Sequence, residues 1–206
     1  MNDITLILTE TINVEKAVKT ILYNSKLLSN IKKNILFTSE DNCKQQLATI
    51  DKISVNINSI ADYNNFIMYE LPKFVHTSHV LIIQNDGFII NPQLWEDTFF
   101  LYDYIGAPWP WDYHLNRVGN GGFSLRSKKF LTLSSTLKNT DNHPEDYFLC
   151  RLNYNFFKDA GCKFADIITA CKFSLESSNN EYNQNYNTVF GLHGKMHQEF
   201  LNTKIK

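Results

Sequence analysis

Apolar and polar positions in the first half of the chain fall into blocks of two kinds. Ile4-Thr5-Leu6-Ile7-Leu8 is short and almost continuously apolar, the pattern of a strand buried on both faces. Over residues 14–28 the apolar side chains recur at Val14, Ala17, Val18, Ile21 and Leu22, which is helical spacing. Residues 34–37 predict a second strand, and Thr38-Ser39-Glu40-Asp41 after it is a polar turn suited to starting a helix. A short third strand is predicted over 53–57 and a helix over 63–74. His79–Ile83 is the strongest strand signal in the chain. Strands alternating with helices predict an α/β domain, a mostly parallel central sheet flanked by helices. Such sheets place ligands outside the carboxyl ends of their strands.

Beyond Ile90 the pattern changes. Aromatic residues crowd together at Trp95, Phe99, Phe100, Tyr102, Tyr104, Trp109 and Trp111, and a glycine-rich stretch leads into an alternating segment, Phe123-Ser124-Leu125-Arg126. A helix is predicted from Pro144 past Arg151, capped by Asn142 or His143. The Asn-rich stretch 177–187 reads as a loop. Nothing resembles an interdomain linker or a repeat. Residues 1–206 are expected to form a single domain, with a nucleotide-binding half over about 1–90 and an acceptor and catalytic half over about 91–206.

Charge narrows the partners. Twenty basic residues against 21 acidic ones leave a net charge of −1, with no basic patch for nucleic acid. Lys32-Lys33 and the Lys204-Ile205-Lys206 tail read as solvated surface. No apolar run is long enough to span a bilayer, and Met1-Asn2-Asp3 lacks the basic start of a signal peptide. Cys43, Cys150, Cys162 and Cys171 are scattered, with no metal or redox spacing. These features suit reduced thiols in a cytoplasmic chain, free in solution or held at a membrane surface.

Four constellations carry chemistry. In Val80-Leu81-Ile82-Ile83-Gln84-Asn85-Asp86-Gly87 an apolar strand runs straight into a carboxylate, so Asp86 stands where a hard cation and a diphosphate can be held; a plain Asp-Gly turn is the competing reading. Gly119, Gly121 and Gly122 allow close approach of backbone to ligand and positive φ, or make a tight structural turn. They match neither a P-loop nor a dinucleotide fingerprint. In His143-Pro144-Glu145-Asp146 two carboxylates open a helix, either as dipole-favoured caps or as a general base. In Phe190-Gly191-Leu192-His193-Gly194 a histidine sits between glycines, and imidazole can complete a Mn²⁺ site opened by Asp86.

Taken in order, these motifs resemble the GT-A glycosyltransferases. The strings Gln84-Asn85-Asp86-Gly87, Tyr102-Asp103-Tyr104-Ile105-Gly106-Ala107-Pro108-Trp109 and Gly119-Asn120-Gly121-Gly122-Phe123-Ser124 are similar to those of the DUF5672 family, over roughly residues 60 to 195. The resemblance implies a GT-A-like (Rossmann-like) fold and transfer of a sugar from a nucleotide-sugar, a UDP-sugar before others, to a glycan, glycolipid or protein acceptor. It implies Mn²⁺ or Mg²⁺ on Asp86 and His193, with Gln84 standing in place of the first acid of the Asp-x-Asp motif. Asp146, or failing that Glu145, would be the base of an inverting reaction. Thr9, Glu10, Tyr63, Asn64, Gln84, Asn85, Gly121 and Gly122 would contact the donor. Trp109 and Trp111 read either as a platform for a sugar face or as packing, and Asp103 as facing the site or anchoring its loop. Two alternatives stand beside this: a catalytically silent nucleotide-sugar or glycan-binding module, favoured by Gln84, and a sugar nucleotidyltransferase. The latter is disfavoured because residues 8–13 lack the expected glycine and arginine.

Overall fold

The computed structural model describes residues 3–44, 47–110, 116–177 and 180–204. The strands among them are β1 (Ile4–Thr9), β2 (Ile31–Thr38), β3 (Asp51–Ser54), β4 (His79–Ile83), β5 (Gly87–Ile89), β6 (Tyr104–Ile105), β7 (Phe123–Ser127), β8 (Ser174–Leu175) and β9 (Gly191–His193). Six of them form one sheet in the order β3-β2-β1-β4-β7-β6, and three form a second, β5-β9-β8. In the large sheet β1 to β4 are parallel. β7 is antiparallel to both its neighbours, so β6 runs with the first four.

β1 and β4 sit at the centre of the sheet, which explains their apolar runs. Alternate residues point to opposite faces, so Ile4, Leu6, Leu8, Leu81 and Ile83 enter one core while Ile7, Val80 and Ile82 enter the other. Helix α1 (Val14–Ser25) covers the first face through Ala17 and Ile21, with Asn13 capping it by accepting from the Lys16 amide. It stops short of the predicted residue 28. Buried Asn24 accepts from the Ile89 amide and donates to the Thr20 and Gly87 carbonyls, and the Leu27 amide turns back to the Asn24 carbonyl. Leu28 remains buried, so the apolar spacing persists where the helix does not.

Further boundaries move for similar reasons. β2 begins at Ile31 because Ile31 pairs with Ile4, which takes Lys33 into the strand, where its ammonium meets Asp51 at 3.0 Å. β3 ends at Ser54, where the register with Thr38 ends, short of the predicted 57. Helix α2 (Glu40–Cys43) starts after Ser39, as the turn predicts. The segment predicted helical over 63–74 is α3 (Ile60–Asn65) running into a π turn, Phe66–Glu70, and a 3₁₀ turn, Leu71–Lys73. It buries Phe66, Ile67 and Leu71 against the second face, joined there by Leu131 of α4 (Lys128–Ser134).

The helix predicted from Pro144 begins at Glu145 as α5 (Glu145–Tyr147) and passes into a π turn, Phe148–Leu152. Neither Asn142 nor His143 caps it: the Glu145 amide donates to Asn64 Oδ1 at 3.2 Å. Two helices, α6 (Tyr154–Asp159) and α7 (Ile167–Phe173), follow, and α8 (Gln198–Lys204) comes last. Trp95, Phe99, Phe123, Phe173 and Phe190 meet ring to ring and weld the small sheet to the large one. The 177–187 stretch includes a 3₁₀ turn, Asn180–Tyr182. The four cysteines form no disulfide. Among the described residues no helix is long and apolar enough to cross a membrane.

Candidate active site

Two strand registers assemble the site. Ile83 at the end of β4 pairs with Phe123 at the start of β7, and the Gln84 amide donates to the Gly122 carbonyl at 3.0 Å, so the Gln84-Asn85-Asp86 turn lies beside the glycine loop. Gly87, opening β5, pairs with His193 of β9. Asp86 is therefore carried next to a histidine more than a hundred residues away. The Asp-Gly step is no simple hairpin turn, because the strand after it leaves for the second sheet.

At this junction the His193 ring sits among oxygen atoms. Nε2 is 3.0 Å from Gln84 Oε1 and 3.3 Å from Asp86 Oδ1, and Nδ1 is 3.6 Å from Glu176 Oε1. Burial works against a charged imidazole, but the Asp86 and Glu176 carboxylates overcome it and raise the pKa to about 9. Asp86 is displaced the other way: burial raises it, and hydrogen bonding and charge from His193 bring it below its ordinary value. Four side-chain atoms here are buried without a hydrogen-bond partner: Thr9 Oγ1, Asn85 Oδ1, Glu176 Oε2 and His193 Nδ1. Unpaired buried polar groups are costly, and such a concentration of them suits a polar or ionic ligand. Asp86 and His193 are a carboxylate and an imidazole on one side of the turn, the donor set Mn²⁺ accepts. Among the described residues no third His, Cys, Asp or Glu joins them around one cation position.

The glycines act through space and not through φ. Positive φ occurs among described glycines at Gly161 and Gly194, not at Gly119, Gly121 or Gly122. A methyl group on Gly119 would stand 1.8 Å from the Trp109 ring, one on Gly121 2.7 Å from Glu145 Oε1, and one on Gly122 2.2 Å from His193 Nε2. The loop thus touches both halves of the site at once. The Gly121 amide donates to Asp146 Oδ2 at 2.9 Å, and Gly122 backs the imidazole.

The two candidate bases separate. Both Glu145 oxygens are taken by the Arg126 guanidinium, at 2.8 and 2.9 Å, and the pair is almost wholly buried. Burial holds the Glu145 carboxyl above its ordinary range, opposed by the guanidinium through two charge-assisted bonds in fork geometry. Both Glu145 oxygens are thereby committed to the guanidinium. Asp146, half-buried, keeps its carboxylate at the glycine loop.

Of the predicted donor contacts, several serve the protein itself. Glu10 accepts from the Ile12 and Asn13 amides and from the Asn85 side chain, tying the end of β1 to the Asp86 turn. Asn64 spends its amide on the Glu145 N–H and the His143 carbonyl and so clamps the start of α5. The Tyr63 hydroxyl lies against the Gln84 side chain, with its pKa pushed up to about 12 by burial and by Glu145. Trp109 is packed over Gly119 in the core, which settles it as packing. Trp111 lies outside the described residues. Asp103 anchors its loop by accepting from Ser127 Oγ and the Lys163 amide.

Sequence reasoning missed Glu176 and left Arg126 without a role. Glu176 follows the short apolar stretch Phe173-Ser174-Leu175, a strand ending in an acid as β4 does, and that was its signal. Arg126 is the last residue of the alternating segment, where a fully buried cation demands a partner.

The architecture is that of the GT-A fold. It is similar to a glycosyltransferase involved in glycosylation of the major capsid of PBCV-1, with TM-score 0.59 and 13% identity over 98% of this chain and 99% of that one. It is also similar to the Streptococcus pneumoniae TIGR4 glycosyltransferase GlyE, with TM-score 0.57 and 14% identity over all of this chain and 61% of that one, so it spans about three-fifths of GlyE. A third likeness is to glucosyl-3-phosphoglycerate synthase from Mycobacterium tuberculosis, in complex with Mn²⁺, UDP-glucose and glycerol 3-phosphate, with TM-score 0.54 and 13% identity over 80% and 69% of the chains. At these identities the likeness establishes the fold. No curated protein sequence matches the chain. Residues 45–193 match the family described as Protein of unknown function (DUF5672), and the chain belongs to that family.

Proposed function

We propose that this protein is a metal-dependent glycosyltransferase that moves a sugar from a nucleotide-sugar, a UDP-sugar in the first instance, to an acceptor hydroxyl with inversion, in glycan assembly. The observation that carries the reading is the placement of Asp146 and His193 against consecutive residues, Gly121 and Gly122, at the carboxyl end of β4. A proton acceptor and a cation-binding pair are thus held on the two sides of one short backbone segment.

In this reading Asp86 and His193 would hold Mn²⁺ or Mg²⁺ beside the donor diphosphate. When bound, the cation neutralises the charge that develops on the leaving diphosphate. Thr9 and Asn85 offer unpaired oxygens to the donor, and Tyr63 and Gln84 line its approach. Asp146 takes the proton from the attacking hydroxyl while the Gly121 amide fixes its orientation. The residues before about 90 serve the nucleotide and those after it the acceptor and the proton transfer. The M. tuberculosis neighbour, which holds Mn²⁺ and UDP-glucose on this fold, supports the choice of ligands.

Hydrolysis and binding of a panel of nucleotide-sugars with and without Mn²⁺ tests this. Metal-dependent turnover of one donor is expected. Absence of binding to every donor would overturn it. Binding without turnover, even with a panel of acceptors, would favour the silent module that Gln84 suggests.

A further inference from the structure

We propose that Glu176 is the positioning residue that sets His193 for a divalent cation, by accepting a hydrogen bond from its Nδ1–H, aiming Nε2 at Asp86 and supplying the negative charge that Gln84 does not. The inference rests on the metal-dependent reading above and adds to it a residue outside the sequence motifs. The parallel register of β8 and β9 pairs Leu175 with Leu192, so the next residues, Glu176 and His193, emerge side by side. The imidazole then lies between two carboxylates, with Nε2 3.3 Å from Asp86 and Nδ1 3.6 Å from Glu176. His193 Nδ1 and Glu176 Oε2 are both buried with no hydrogen-bond partner. Closing the ring toward Glu176 by about half an ångström would bring Nδ1 within hydrogen-bond distance of Oε1, and a cation at Nε2 would take the place of the proton that this nitrogen shares with Gln84 Oε1. A carboxylate on the far nitrogen of a metal-binding histidine fixes the tautomer and raises the basicity of the ligand.

Glu176 is itself held from behind. Its carbonyl is 2.8 Å from His197 Nε2, and because a carbonyl only accepts, that nitrogen carries the proton. His197 Nδ1 is then the acceptor for the Tyr186 hydroxyl at 3.0 Å, and Tyr186 stacks on Phe200 with ring centroids 3.8 Å apart. This backing, from Tyr186, the 3₁₀ turn Lys195–His197 and α8, fixes the backbone of Glu176 with respect to the turn at Asp86. The carboxylate missing at position 84 is thus replaced from a different strand.

The test uses the full chain in the presence of UDP. Mn²⁺ affinity is read by electron paramagnetic resonance, and the His193 tautomer by ¹⁵N NMR in the Mg²⁺ complex. Glu176→Ala is expected to weaken Mn²⁺ binding about 10- to 100-fold and to lose the fixed Nδ1–H tautomer. Glu176→Gln, which keeps an acceptor without the charge, should fall between, and Glu176→Asp should restore most of the affinity. If Glu176→Ala does not fold, the Gln and Asp variants carry the same comparison. Wild type that binds Mn²⁺ with the Glu176 variants equal to it in affinity and tautomer overturns this inference alone. Wild type that binds no Mn²⁺ removes the metal reading and this inference with it.

Discussion

The His193 ring lies directly against the α-carbon of Gly122, so that a methyl group at 122 would stand 2.2 Å from Nε2 and 2.3 Å from Cε1. The imidazole has no flexible end with which to give way. Gly122→Ala should therefore swing His193 out of line with Asp86. Mn²⁺ affinity in the presence of UDP is expected to fall at least tenfold, with a stability loss of about 1–3 kcal/mol. Calorimetric titration and urea unfolding measure the two effects. Unchanged metal affinity would show that His193 does not hold the cation.

Asp146→Asn keeps the shape of the side chain and its ability to accept from the Gly121 amide, but cannot take a proton. Transfer should drop by two to four orders of magnitude, on the order of what a general base contributes, while donor affinity changes little. Single-turnover rates set against equilibrium donor binding separate the two. Equal losses in both would give Asp146 a binding role instead.

The Arg126–Glu145 pair predicts a stability effect. Arg126→Met strands a buried carboxylate, and removal of one partner of such a pair costs about 3–5 kcal/mol. Glu145→Gln, which leaves the guanidinium one neutral acceptor, should also destabilise. Where it folds, it should retain proton transfer at a rate within about tenfold of wild type, far less than the loss expected at the base itself. Denaturant midpoints and the pre-steady-state rate measure these, and a rate loss as large as that of Asp146→Asn would return Glu145 to the reaction.

His79 gives a pH dependence outside the site. It is buried, with Nε2 3.3 Å from the Tyr102 carbonyl, and burial holds its pKa below the ordinary 6.5. Below that value the unfolded chain binds a proton that the folded chain refuses. Stability is therefore full above pH 6.5 and falls as the pH drops through 6.5 toward the folded pKa. The thermal midpoint followed from about pH 7 down to about pH 5 should fall in the wild type and flatten in His79→Gln. An equal slope in both proteins would assign the effect to other groups.

What was legible in the sequence is what local pattern governs. His79–Ile83 is the strand the apolar run predicts, because a central parallel strand must be apolar on both faces. The glycine string announced a crowded turn, but its reason lay elsewhere: the Trp109, Glu145 and His193 side chains that crowd it come from distant segments. The partners of Asn64 were hidden for the same cause, since they lie about eighty residues on, at His143 and Glu145. Glu176 was invisible until the register of β8 and β9 set it beside His193. Spacing along the chain shows which residues share a face. It does not show which side chains from separate strands end within reach of one another.

The pairing of Gly87 with His193 also governs when the molecule becomes competent. The pairing of β1 with β4 spans about 75 residues, and β5 waits longer still, for a strand about a hundred residues later; such distant closures come slowly. The small sheet, short and peripheral, is the part expected to exchange its amide hydrogens first. Opening of that sheet alone would dissolve the Asp86–His193 junction and leave the central sheet folded, so that a chain scored as native by its bulk spectrum could still be inert.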